Sequence, residues 1–437
     1  MAADAALPQP ADPRRLRNLG LVFAVAISLA ATCYPVFSPA IQAHFADNPD
    51  AVPIAQGAQQ ATWHDALGWW VGPWIESGSR YYRPLSSWLF WTEYHLFGLD
   101  FQKYCVVSWL VHGANAALLF LLALALFRRP PNRATVALAL LAVLLFSTRR
   151  SMNMPAPPEG WLPFPVAWGE MPYWPAQTDL FSFFFSLLSL LTLDRWTREP
   201  TSRRLTAAVA LFVVALLFKE MAIATALLAP LLVWYRQRRV PWEVLGLYVG
   251  VGVVFLLARW WFVPGAWGPK PPMAMSFGRK LLFYLNYDLF FAYDTGVIWP
   301  LPAALGILGL AWGLRRYRQS FIWLLPGALI WTLLMSQLLG ASFAECTLPK
   351  PLGILALSVL FWGGLTVLLR RPDRLRWTLA AMVAIVHAPI MHVLGPHYLY
   401  WPAAFWSLLS VSLLPGAVDW WRDLGSPPAR PPRPLAG

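Results

Sequence analysis

The sequence predicts an all-α, polytopic membrane protein of about 12 transmembrane helices with long outer loops that carry interfacial helices. Three observations carry that expectation. Of the 437 residues, 58% are apolar and only 13% charged, whereas a soluble domain has about 25% charged residues. The apolar residues gather into stretches of membrane-spanning size. The connectors after every second stretch are Arg-rich: RRPPNR (128–133), DRWTREPTSRR (194–204), RQRR (236–239), RRYR (315–318) and RRPDRLR (370–376). RRLR (14–17) and a tail with Arg422, Arg430 and Arg433 complete the set. Positive connectors stay cytoplasmic, so both termini are expected inside.

The first expected span, 18–37, follows a basic segment as a signal peptide would. As a helix it covers about 30 Å, and no convincing small-residue cleavage site follows, so it reads as an uncleaved anchor. The second, 105–127, comes after a loop far too long for a mere connector, 38–104. Loops longer than about 15 residues are usually functional or disordered. Within it, Leu85, Leu89, Tyr94 and Phe97, with Trp88 and Trp91, are expected to form an apolar surface lying along the membrane interface. The next spans, 134–147, 179–193 and 205–218, fall short of the usual length of about 20 residues, which predicts a cavity cut into the outer leaflet. A second long loop, 148–178, is rich in Pro and Trp. The sixth span, 221–235, would be continuous with the fifth but for Lys219 and Glu220. Span 242–262 is followed by an outward segment in which 278–294 is expected to form another interfacial helix. The remaining spans are 297–314, 321–339, 352–369, 377–394 and 398–417. The resulting organisation is a cytoplasmic tail (1–17), a catalytic-type transmembrane module (18–262), a C-terminal transmembrane module (263–420) and a disordered cytoplasmic tail (421–437). No internal repeat is visible.

The net charge of +13 resembles that of a nucleic-acid binder. Its concentration in the inner connectors instead suits insertion and anionic lipid, and no nucleic-acid module is present. Cys33, Cys105 and Cys346 have no CxxC spacing and read as packing residues, with a single disulfide left open.

Several ionisable groups fall on the outer side. Asp47, in HFADNPD (44–50), is placed to act as a general base, and a solvated turn acid is the structural alternative. Glu170 and Asp179 flank an aromatic loop; Asp179 also suits an N-cap. Lys219 and Glu220 interrupt an apolar run (205–235), where charges are costly and usually functional; a mutual ion pair is the alternative. Arg83, Arg149, Arg150, Arg259, Lys270, Arg279 and Lys280 stand against the insertion bias. An anionic ligand would explain them, as would snorkelling to lipid phosphates. His112, His387, His392 and His397 have no metal-ligand spacing, and there is no GxSxG, P-loop or GxGxxG after a strand.

Four blocks carry a family resemblance. Residues 81–126, beginning YYRPLSSWLFWTEYHLFGLD, resemble the YRPL…YxLFGxxxxxYHxxNLLLHxxNAxLL stretch of bacterial polytopic glycosyltransferases. These have the GT-C membrane fold and are relatives of the protein O-mannosyltransferases and of the transmembrane tetratricopeptide-repeat mannosyltransferases. FPVAWGEMPYWPAQTDLFSFFFSLLSLL (164–191) is similar to HPVHVEAVAWISGRxDLLAxLFxLLAL, ALLFKEMAIATALLAPLLV (215–233) to ALLSKExAxxLPLLLLL, and PHYLYWPAAFW (396–406) to ERYLYLPSxGF. This chain has Asn48 in place of a second acid, His397 in place of the arginine, and Phe164 in place of a histidine, and Glu170 aligns with a one-residue shift. The repeat domain is not seen in it.

The resemblance implies transfer of a sugar from a polyprenyl-phosphate donor to an acceptor hydroxyl on a glycan, lipid or protein, at the periplasmic face of a bacterial inner membrane. It makes Asp47 the base. Glu170 and Asp179 would hold hydroxyls, or a divalent metal where one is used. Lys219 would meet the carrier phosphate with Glu220 orienting it, while Arg83, His397 and Tyr398 shape that pocket. No other cofactor is implied. A transporter or flippase of lipid-linked saccharides and an inactive lipid-carrier-binding envelope scaffold are the alternatives. Transporters place their charges near the midplane of two repeats, which this sequence does not show.

Overall fold

The computed structural model describes residues 12–37, 51–76, 79–127, 132–147, 174–263, 373–391 and 396–425. Expected spans 297–314, 321–339 and 352–369 and the expected helix 278–294 lie outside them. All the regular structure among the described residues is helical. In chain order the helices are α1 (Pro13–Phe37), α2 (Ala51–Gln60), α3 (Trp63–Gly68), α4 (Pro84–Phe97), α5 (Phe101–Phe127) and α6 (Arg133–Ser147). They continue with α7 (Gln177–Trp196), α8 (Ser202–Phe218), α9 (Thr225–Gln237), α10 (Trp242–Phe262), α11 (Arg374–His387) and α12 (Tyr400–Gly425). Among the described residues, three segments are long and apolar enough to cross a membrane: Gln102–Phe127, Trp174–Trp196 and Trp242–Phe262.

Local chemistry sets the helix ends. Thr62 and Asp65 form a reciprocal capping box at the start of α3, which satisfies backbone donors that the first turn leaves orphaned. Thr201 and Asp373 cap α8 and α11, and Asn132 accepts from the Thr135 backbone N–H at 2.8 Å to start α6. Pro84 opens α4, where its missing N–H removes no helical bond. Helix α4 ends at Gly98, whose φ of 58° favours glycine. The span expected at 179–193 is longer than the sequence reading. A single 3-10 turn at Trp174–Ala176 extends α7 backwards, giving 23 residues from Trp174 to Trp196, or about 35 Å. Trp174 thus continues the helix instead of ending it. Helices α6 and α8 remain short, at 15 and 17 residues.

Helix α7 is the central packing element, against α8, α5 and α9. Its serines explain the close fit. Ser182 and Ser189 donate to the α8 carbonyls of Ala215 and Ala208 at 3.1 and 2.7 Å, Ser189 also bonds the Tyr248 hydroxyl, and Thr225 donates to Ser186 at 3.1 Å. Small hydroxylated residues let membrane helices approach while their own polar atoms find partners. The principal core runs continuously from Ala24 on α1 to Val411 on α12.

A second core lies under α2, α3 and α4. Trp74, Phe90, Tyr104 and Trp174 fill it, and Cys105 is a buried free thiol there. The α4 side chains expected to lie along the membrane interface also pack inward. Trp88, Leu89, Trp91, Tyr94 and Phe97 are half-buried against this core, because α2 and α3 fold over them.

At the far end of α7 a second acid, Asp194, is buried and accepts from Arg236 at 2.8 Å and Arg198 at 2.5 Å. Arg236 also donates to the Ala125 carbonyl, and the Tyr235 hydroxyl to Leu126 at 2.8 Å, so two side chains satisfy carbonyls at the C-terminus of α5. The connector arginines of the sequence are therefore partly structural. Asp194→Ala is expected to lower stability by about 1–3 kcal/mol, since it leaves Arg236 with one partner fewer in a half-buried site. Thermal unfolding of the purified protein in detergent checks this, with Asp194→Asn expected to fall between.

Candidate functional site

Five of the residues singled out in the sequence come together at the end of the helices that holds the α7 N-terminus. Four of them stand at breaks in regular structure, and Asp179 lies in the first turn of α7. Arg83 precedes Pro84, and a residue before proline is kept out of the helical region; at φ −143° and ψ 65° it directs its guanidinium to Glu220. Helix α8 ends at Phe218, and Lys219 is fully extended (φ −157°, ψ 139°) before a 3-10 turn at Glu220–Ala224. Successive side chains on extended backbone point opposite ways. Lys219 and Glu220 therefore do not pair with each other: Lys219 meets Asp179, while Glu220 meets Arg83. Asp179 is not the N-cap of α7, a position held by Ala176. It sits in the first turn instead, where the helix dipole favours its charge.

The two ion pairs lie in one nearly dry layer. Arg83 forms a two-pronged bond with Glu220, its Nε 2.8 Å from Oε2, the fork geometry that guanidinium and carboxylate share. Its plane stacks 4.0 Å from the centre of the Tyr81 ring and 5.0 Å from that of Trp74. The Lys219 ammonium lies 4.9 Å from the centre of the Tyr398 ring, an attraction between cation and ring quadrupole. Ser86 donates to the Phe218 carbonyl at 2.6 Å and so ties α4 to the end of α8. Burial works against the charge on Arg83, but Glu220 more than offsets it and raises the guanidinium pKa. Burial also works against the Glu220 carboxylate, and Arg83, helped by Arg259 and Lys219, overrides it and holds the carboxyl well below the usual range. Arg83 and Glu220 are therefore both charged at neutral pH.

Asp47 and Glu170 lie outside the described residues, as do Arg149, Arg150, Lys270, Arg279, Lys280 and His392. His397 belongs to a 3-10 turn, Pro396–Leu399, that leads into α12 next to Tyr398. His387 is buried and bonds a carbonyl of its own helix, Val383 O, at 2.7 Å, a structural arrangement. Among the described residues no group of three or more His, Cys, Asp or Glu side chains is gathered to hold a metal ion.

Two polar arrangements were not expected from the sequence. His112 and Asn115 both bond the Tyr400 hydroxyl, at 2.8 and 3.1 Å, and Asn115 also donates to the Leu180 carbonyl at 3.0 Å, one residue from Asp179. The second is Glu93, buried on α4, whose carboxylate accepts from the Trp174 indole at 2.7 Å. Gln177 lies beside it and donates to the Tyr104 carbonyl. An acid within a run of aromatic residues was the available signal. Burial pushes the Glu93 carboxyl up to about 8, against the smaller opposing effect of the bonds from Trp174 and Gln177.

Compared with known protein families, with curated proteins and with solved structures, the chain gives no match.

Because the Glu93 pKa is raised in the fold, its contribution to stability is fully present below the ordinary value of 4.5 and is lost as pH rises through about 8. The melting temperature should fall across that window, and Glu93→Gln should flatten the fall while keeping an acceptor for Trp174. In the charged layer, Lys219→Met leaves Asp179 uncompensated and should cost about 3–5 kcal/mol. Adding Asp179→Asn should recover part of the loss, and a cycle of the four melting curves measures the coupling.

Proposed function

We propose that the protein is a membrane glycosyltransferase of the GT-C type, moving a sugar from a polyprenyl-phosphate carrier to an acceptor hydroxyl on the periplasmic side of a bacterial inner membrane. The observation that supports this reading best is the convergence of Arg83, Asp179, Lys219, Glu220 and Tyr398 at one end of the helices. They come from four segments far apart in sequence. A stability clasp needs one ion pair; two cations, two carboxylates and an aromatic face at one end suit an anionic ligand carrying hydroxyls. Exposed Arg195, Arg198, Arg203, Arg238 and Arg239 mark the opposite end, which the distribution of positive charge assigns to the cytoplasm.

In this reading Asp47 takes the acceptor proton as the acceptor oxygen attacks the anomeric carbon. The bond from that carbon to the carrier phosphate oxygen breaks with its electron pair, and a single displacement inverts the centre. The charge released on the phosphate is met by Lys219, with Arg83 as its neighbour and Glu220 holding Arg83 in place. Asp179 is freed to bind a sugar hydroxyl when Lys219 turns to the phosphate, and Glu170 binds hydroxyls from the acceptor side. His397 and Tyr398 close the pocket. A divalent metal, where used, would draw on Glu170 and Asp179.

One observation favours a second reading, that of an inactive scaffold which binds a lipid carrier. Both buried cations are already neutralised by carboxylates, as in a layer built to join helices.

Proteoliposomes containing the wild type, Asp47→Asn or Lys219→Met, with labelled polyprenyl-phosphate sugars and candidate acceptors, separate the readings. Transfer by the wild type should drop about 10²–10⁴-fold in Asp47→Asn with donor binding kept, and donor binding itself should weaken in Lys219→Met. Binding without turnover in the wild type would establish the scaffold. Equal transfer by wild type and Asp47→Asn would remove Asp47 from the mechanism.

A further inference from the structure

The segment from Thr62 to Val71 exposes large apolar side chains although it lies outside every expected span. Trp63 is 63% exposed, Leu67 58%, Trp70 39% and Val71 62%. These positions follow i, i+4, i+7 and i+8, one face of a helical path. The path is real beyond the end of α3, since the Trp70 and Val71 N–H groups bond back to Leu67 and Gly68 at 3.3 and 3.0 Å. Ala66 and Trp69 occupy a second face, buried in the second core. His64 and Asp65 lie exposed on a third. The capping box of Thr62 and Asp65 holds the first turn rigid, and Trp63 is braced at its edges by Trp88 and Trp91, with ring centres 5.4 and 4.9 Å away.

A charge-free apolar stripe beside a polar stripe is the profile of a segment lying in a membrane interface, with tryptophan at the headgroup level. A contiguous apolar patch of this kind marks an interaction surface, and its position identifies what covers it. Tyr82 packs between Phe255 and Phe262 of α10, with ring centres 6.0 and 5.6 Å away, and its hydroxyl donates to the Trp70 carbonyl at 2.9 Å. The stripe is thereby joined to the end of a helix long and apolar enough to cross a membrane, whose Val253, Val254, Leu257, Trp260 and Trp261 are exposed in the same way. The buried Tyr82 thus links the two elements that carry these surfaces.

We infer that residues 63–71 form a foot seated in the outer phospholipid interface, with Trp63, Leu67, Trp70 and Val71 in the boundary between headgroups and acyl chains and His64 and Asp65 towards water. The foot adds to the span of α10 an anchor lying across the membrane plane. It also fixes the height of Arg83, because Tyr82, the residue beside it, is the joint between foot and helix. This holds whatever reaction the charged layer performs.

The test uses the full chain in proteoliposomes of phosphatidylethanolamine and phosphatidylglycerol. A photoreactive benzophenone amino acid is placed at position 67, 71, 64 or 254, one at a time, and adducts are read by mass. Phospholipid adducts at 67 and 71, as abundant as at 254 on α10 and several-fold above those at 64, are the expected result. Adducts to another part of the chain or to a second copy would overturn the inference. So would adducts only to an added oligosaccharide, or no adducts at 67 and 71 while 254 reacts. All four side chains replaced are exposed, and position 254 reports that the protein has inserted.

Discussion

Two buried ion pairs, Arg83 with Glu220 and Lys219 with Asp179, hold the described structure at one end. Moving four charges out of water is costly, and the cost is offset only where each charge has a partner of matched geometry. That requirement reaches outward to the helices. Helix α4 must begin where Arg83 can fork onto Glu220, α8 must end one residue before Lys219, and α7 must start its first turn at the Lys219 ammonium. A shift of any of the three by one residue would separate a pair. The breaks in regular structure are consequences of this layer: a proline that keeps Arg83 out of the helical region, and an extended Lys219 that sends neighbouring side chains to different partners.

The layer also explains why α7 carries an acid near each end. Asp179 and Asp194 stand about 22 Å apart along the axis at 1.5 Å per residue, each with a basic partner from a neighbouring helix. Between them the polar side chains are hydroxyls, of which Ser182 and Ser189 bond backbone carbonyls of α8 and Ser186 accepts from Thr225. In an apolar solvent, helices gain little from burying one apolar face against another, so close approach and satisfied polar groups must supply the specificity. The serines provide it in the middle, and the charged layers provide it at the ends. Arg236 and Tyr235 work in both senses, because they pair or pack at the Asp194 end and satisfy the last carbonyls of α5.

Outside this bundle, α2, α3 and α4 build a second core whose chemistry is aromatic. Buried in it is a carboxyl, Glu93, held by an indole N–H. That bond joins α4 to the turn that starts α7, so the two helices supplying Arg83 and Asp179 are coupled twice, once through charge and once through a buried acid. The foot at 63–71 extends the same unit sideways. Helices α2, α3 and α4 are therefore a folded unit tied to the charged layer through Arg83 and Glu93.

Composition and the alternation of Arg-rich connectors made the helical, membrane-spanning class legible, because hydrocarbon solvent leaves few other ways to satisfy a backbone. Lys219 and Glu220 stood out because charge in a 31-residue apolar run has few structural excuses, and Arg83, Asp179 and Tyr398 were legible from their motifs. What pairs with what was not legible. The obvious partners, Lys219 and Glu220, are adjacent in sequence, yet one extended residue turns them apart, and their true partners lie 40 and 137 positions away. Glu93, His112 and Asn115 each stood in a recognisable local context, but the burial of the first and the sharing of the Tyr400 hydroxyl by the other two were hidden, since their partners lie 81, 288 and 285 positions away. The sequence by itself determined the solvent, the helices and the charged residues, because those depend on transfer energies and periodicity that act residue by residue. Only the tertiary structure decided the pairing, the depth of burial and the use of the α4 aromatic face, because those depend on which elements the chain brings together across long separations.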